Sequence, residues 1–82
     1  MKLTLAQVRK EIQKQHPKLD VKKGPGYYYF YSEDDKLAYA LIEPFVQEAA
    51  TVMVNYCHHL SMENWIESAN EVMAKAKEMG YE

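Results

Sequence analysis

Cysteine is nearly absent from this chain of 82 residues: Cys57 stands alone, so no intramolecular disulfide can close and a four-cysteine zinc site is excluded. A reducing, cytoplasmic setting is the expectation. Glycine is scarce as well, with three residues in all; Gly24-Pro25-Gly26 is too short for a phosphate-cradling loop, and its proline removes a backbone donor that a phosphate would need. Long apolar runs are missing too. The longest mainly apolar stretch, Leu37 to Val46, is broken by Glu43 and Pro44 and falls far short of the roughly 20 residues of a membrane span. Met1-Lys2-Leu3-Thr4 leads straight into a polar, helix-like pattern, so neither secretion by the usual route nor contact with a membrane is expected. What the chain does contain, 48% hydrophobic and 27% charged residues, is ordinary for a folded domain and argues against disorder. A chain of this size buries only about 60% of its unfolded surface, enough for one thin core. Residues 1–82 therefore read as a single domain, a monomer or a small homo-oligomer.

The first helix is marked at its start. Thr4 can cap, Gln7 can complete a capping box, and Leu3 can staple onto Val8. Leu5, Val8 and Ile12 form one apolar stripe, and Pro17 stops the helix at His16. A hairpin follows: residues 18 to 23 alternate with Leu19 and Val21 on one face, Gly24-Pro25-Gly26 supplies the turn, and Tyr27 to Tyr31 is an aromatic strand. Ser32-Glu33-Asp34-Asp35 breaks the pattern and can cap what comes next. Residues 36 to 50 fit a helical stripe through Leu37, Ala38, Leu41 and Ile42, but Leu37, Tyr39 and Leu41 also alternate, and Pro44 interrupts either; a short helix is the preferred reading. Thr51 to Tyr56 reads as a strand, with Val52, Val54 and Tyr56 on one face. The last helix starts at a Ser61 cap with a Leu60 to Trp65 staple, runs on a stripe through Met62, Trp65, Ile66, Ala69, Val72, Met73 and Ala76, and stops at Gly80. The expected fold is α+β: a three-stranded antiparallel sheet with the N- and C-terminal helices packed on one face, in the order α-β-β-(short α)-β-α.

Two features carry the functional reading. Side chains alternate along a strand, so Tyr28 and Phe30 point one way and Tyr27, Tyr29 and Tyr31 the other. Phe30 has no polar handle, which assigns its face to the core and leaves a row of three tyrosines outside. Such a row suits partner interfaces and base-stacking platforms; alternatively the rings are covered by segment 36–50 or merely suit a strand. The second feature is charge. Residues 1–26 hold seven cations against two carboxylates, a net +5, whereas residues 27–82 hold three cations against ten carboxylates, a net −7. The basic part can meet nucleic acid or an acidic protein and the acidic part a basic surface, while two solvated helix faces would look the same. Cys57-His58-His59 invites a metal reading, but neighbours on a strand diverge, only His16 remains as a further imidazole, and no ligand spacing is present. Glu63 and Glu67 suit a helix start, and no third group orients Cys57 with a histidine as a nucleophile. Neither catalysis, a cofactor nor a metal is expected.

Gly26-Tyr27-Tyr28-Tyr29-Phe30, the following strand Thr51 to Tyr56, and the helix start Leu60-Ser61-Met62-Glu63-Asn64-Trp65 resemble a set of small phage and prophage proteins of unassigned function that combine a Gly-aromatic strand with a Leu-[Ser/Thr]-x-Glu-x-Trp helix start. The likeness spans about two-thirds of the chain; segment 36–50 is longer here than such proteins often have. It implies a mobile-element origin and transfers no functional residue. The expectation is a non-catalytic accessory binder that occludes a host protein or complex, such as a defence protein, in the host cytoplasm through Tyr27, Tyr29, Tyr31, Glu33, Asp34 and Asp35. The alternative is nucleic-acid binding through Arg9, Lys10, Lys14, Lys18, Lys22 and Lys23, with tyrosines stacking on bases.

Overall fold

A computed structural model describes residues 2–81. Helix α1 (Leu5–Gln15) begins with the reciprocal bonds of a capping box: the Thr4 hydroxyl accepts from the Gln7 N–H at 3.2 Å, and the Gln7 amide oxygen accepts from the Thr4 N–H at 2.9 Å. It ends at His16, as Pro17 requires. Strands β1 (Asp20–Gly24) and β2 (Tyr27–Tyr31) pair antiparallel, from Asp20 opposite Tyr31 to Gly24 opposite Tyr27. Gly26 has φ 79° behind Pro25, the backbone a type II turn needs at its third position. The Tyr27 ring lies across Gly24, so close that a Cβ there would stand 2.6 Å from it.

The segment read as one short helix is two. Helix α2 (Asp35–Leu41) is capped by Asp34, whose side chain accepts from the Leu37 N–H at 3.0 Å, and α3 (Pro44–Ala50) starts with proline in its first turn, where the missing N–H costs nothing. Strand β3 is a correction: it covers only Thr51–Val52, pairing Thr51 with Tyr29 and Val52 with Tyr28, and the chain leaves the sheet before Met53. Val52 and Val54 still pack against the core and Met53 and Asn55 are exposed, as alternation has it, but Tyr56, expected on the face of Val52 and Val54, is exposed. A short 3-10 turn (Cys57–His59) then leads into α4 (Met62–Glu78), capped by the Ser61 hydroxyl at 3.1 Å from the Asn64 N–H. At the other end of α4, Gly80 takes φ 99°, its N–H reaches the Lys77 carbonyl, and the Tyr81 N–H reaches Ala76, the Schellman pattern.

The sheet order is β1-β2-β3, and α1 and α4 cover its inner face. Val8 and Ile12 of α1, Val21, Tyr28 and Phe30 of the hairpin, and Trp65, Ala69, Val72 and Ala76 of α4 form the core. His16 Nε2 and Asn70 Oδ1, 2.8 Å apart, join the two long helices at the end of α1. Helices α2 and α3 pack on α4 and reach β2, contributing Leu37, Leu41, Val46 and Ala50 to the same core. No helix among the described residues is long and apolar enough to cross a membrane.

Candidate functional site

Phe30 and Tyr28 face the core, which turns Tyr27, Tyr29 and Tyr31 to the opposite side of the sheet. The rings are not free-standing: all three are half-buried and touch in a row, with centroids 6.0 Å apart for Tyr27 and Tyr29 and 6.4 Å for Tyr29 and Tyr31. They line an open groove of about 610 Å³ together with Ala38, Leu41 and Ile42 of the α2 region and Ala50, Thr51 and Met53 beyond it. Two of these are large apolar side chains left in water, Ile42 at 65% and Met53 at 75% exposure. Ile42 reads in the sequence as part of the buried helical stripe; it is exposed because α2 ends one residue earlier and the chain turns toward Pro44.

The far end of the row is fixed by Asp20. Its carboxylate accepts two bonds from the Arg9 guanidinium, each 2.9 Å, one from the Tyr31 hydroxyl at 2.8 Å and one from the Val21 N–H at 2.8 Å. Burial pushes the Asp20 carboxyl up, but the bonds from Arg9, Tyr31 and Val21 together outweigh it and hold the group below the usual carboxylate range. The bond to Asp20 in turn raises the Tyr31 phenol. A carboxyl whose folded pKa is depressed stabilises the fold above its unfolded pKa, about 3.9, and that contribution disappears as pH falls through the folded value. Asp20→Asn is therefore expected to lower stability at pH 7 by about 1–3 kcal/mol. Urea titrations of both proteins at neutral and strongly acid pH check this, because the difference between their midpoints should shrink on acidification.

The charged candidates separate by role. Asp34 is the α2 cap and pairs with Lys18 at 3.4 Å; Glu33 and Asp35 are exposed. Of the basic set, Arg9 is held by Asp20 and Lys18 by Asp34, Lys22 lies over the Tyr31 ring at 4.5 Å, and Lys23 lies over Tyr28 at 4.9 Å; Lys10 and Lys14 are exposed on α1. The six cations thus divide among α1, the turn that carries Lys18, and both faces of the hairpin. His58 and His59 sit in the 3-10 turn, not on a strand, in an exposed cluster with Tyr56 whose ring centroids are 5.0 to 5.5 Å apart. Partial desolvation and then the charges of Lys2 and His59 lower the His58 pKa. Among the described residues no three His, Cys, Asp or Glu side chains converge as metal ligands would.

Comparison with protein-family models, curated proteins and solved structures found no match to the chain. The phage likeness accordingly rests on its three motifs alone.

Proposed function

We propose that this chain is a non-catalytic protein-binding module that docks a partner in the groove between the outer face of β2 and the α2 to α3 corner. The observation that carries the reading is an aromatic floor flanked by water-exposed apolar side chains, Tyr27 and Tyr29 beside Ile42 and Met53. Half-buried rings already held by their neighbours lose little freedom on binding, and tyrosine gives a large contact area per ordered torsion. The mobile-element likeness extends the reading to an accessory protein that occludes a host protein, including a component of host defence, in the host cytoplasm. Against nucleic acid stand the net charge of −2 and the engagement of Arg9 and Lys18 by carboxylates.

Affinity capture from host cells tests the reading. Tyr27→Ser with Tyr29→Ser is the informative variant, because replacing Tyr31 would also disturb Asp20. Partner recovery should fall at least about tenfold while the circular dichroism spectrum is retained, the size of loss expected for central aromatic anchors. Undiminished recovery would remove the groove from consideration, and nucleic acid recovered in a steeply salt-dependent complex would favour the basic residues instead.

A further inference from the structure

The two edges of the sheet differ in length: β3 forms one with two residues and β1 the other with five. A two-residue turn makes Gly24 and Tyr27 a hydrogen-bonded pair, and along an antiparallel ladder such pairs alternate with open ones. Asp20, Lys22 and Gly24 therefore direct their backbone groups to β2, and Val21 and Lys23 direct theirs away from the sheet. The Val21 N–H agrees, since it donates to the Asp20 carboxylate at 2.8 Å. Asp20 and the Arg9 guanidinium that it holds close the edge there, leaving Val21 1% exposed. Lys22 and Lys23 are exposed, and the outward N–H and C=O of Lys23 have no hydrogen-bond partner among the described residues. A partner strand finds its own donor and acceptor met there.

The open stretch is basic. The Lys22 ammonium lies over the Tyr31 ring on the outer face and the Lys23 ammonium over Tyr28 on the inner, so one cation stands on each side of the strand. Residues 5–24, from the start of α1 to the end of β1, carry six cations against Glu11 and Asp20, a net +4, and Asp20 is already bonded to Arg9. Among the residues that follow, the first carboxylate is Glu33, beyond Tyr31 and so at the opposite end of the hairpin from Lys23 and the turn. Cations on a sheet edge repel a basic strand, a second copy of β1 included, and attract an acidic one.

We infer that the free side of β1 takes an acidic segment of a partner protein as an added, extended strand centred on Lys23. The backbone of Lys23 sets the conformation, and Lys22 and Lys23 select carboxylates on the two faces of the incoming strand. This surface is separate from the tyrosine groove, so its test does not depend on the groove. Short synthetic peptides that alternate glutamate with valine are titrated into the full chain and followed through its backbone amide resonances. The Lys23 amide should shift and exchange more slowly, with the Thr51 amide on the other edge unmoved. Lys22→Gln combined with Lys23→Gln should weaken binding severalfold and flatten its salt dependence. The same peptide N-methylated on its pairing side keeps its charge but loses the strand bonds, and should bind at least about tenfold more weakly. Equal binding of the N-methylated peptide would overturn the added strand, and equal binding of a lysine-valine peptide would overturn the charge assignment. Shifts at Tyr27, Tyr29 or Thr51 in place of Lys23 would overturn the location. Tighter binding of oligothymidylate at Lys22 and Lys23 would overturn the ligand class, and a Lys23 amide that no peptide moves would overturn the proposal as a whole.

Discussion

Trp65→Ala is expected to cost about 3–5 kcal/mol, the largest stability loss available from one substitution in this chain. Trp65 is fully buried and holds three parts of the molecule at once. Its indole packs edge-on against Tyr28 at 5.4 Å and Phe30 at 6.4 Å, and its N–H donates to the Cys57 carbonyl at 3.0 Å. Removing the ring opens a cavity between α4 and the sheet that so small a core cannot refill. Domains have only about 5–15 kcal/mol in hand, so the thermal midpoint should fall by roughly 20 °C or the variant should fail to fold. Trp65→Phe separates the contributions. The Cys57 carbonyl also accepts from the Leu60 N–H at 3.2 Å, so losing the indole donor does not orphan it. The phenylalanine variant should therefore be markedly milder, with the hydrogen bond itself accounting for about 1 kcal/mol. Far-UV circular dichroism melts of the three proteins check the order, and equal losses for alanine and phenylalanine would contradict the packing argument.

Leu37→Ala should cost about 2–5 kcal/mol and, unlike Trp65→Ala, should act first on the groove. Helices α2 and α3 have seven residues each, too short to persist without tertiary support. Leu37, fully buried, anchors α2 to the shared core, and Ala38 and Leu41 of the same helix line the groove. With that anchor shortened, amide exchange should accelerate in residues 35–50 before it does in α1, α4 or the hairpin. Partner affinity should fall although no groove residue has been changed. Uniform acceleration along the whole chain would instead mean that α2 and α3 unfold only with the rest of the domain.

Both predictions turn on places where the sequence was readable to different degrees. The capping box at Thr4 and Gln7, the stop before Pro17, the hairpin turn and the Ser61 cap are local chemistry, and each lies where its residues placed it. The assignment of Tyr28 and Phe30 to the core followed from one nonpolar ring and a period of two. Residues 51 to 56 misled because β-branched side chains alternate there as they would in a strand, yet β2 runs out of partners beyond Tyr28 and Tyr29 and the chain must turn to reach Cys57. The two helices in 36–50 were obscured by a proline that reads equally as an interruption or as a first-turn residue. Asp20 enters the sequence reading only as one of the two carboxylates among residues 1–26; nothing in its neighbourhood announces that Arg9 and Tyr31, each eleven residues away, will close on it.

By itself the sequence determined the two long helices with their ends, the hairpin turn, and which face of the tyrosine strand turns inward, because caps, breakers and periodicity act over a few residues. Only the tertiary structure decided that the outward face is one wall of a groove. That depends on where α2 and α3 pack, and their placement is set by burying Leu37, Leu41, Val46 and Ala50 against distant parts of the chain. Such burial is nondirectional, so no local pattern encodes which surface ends up beside the rings.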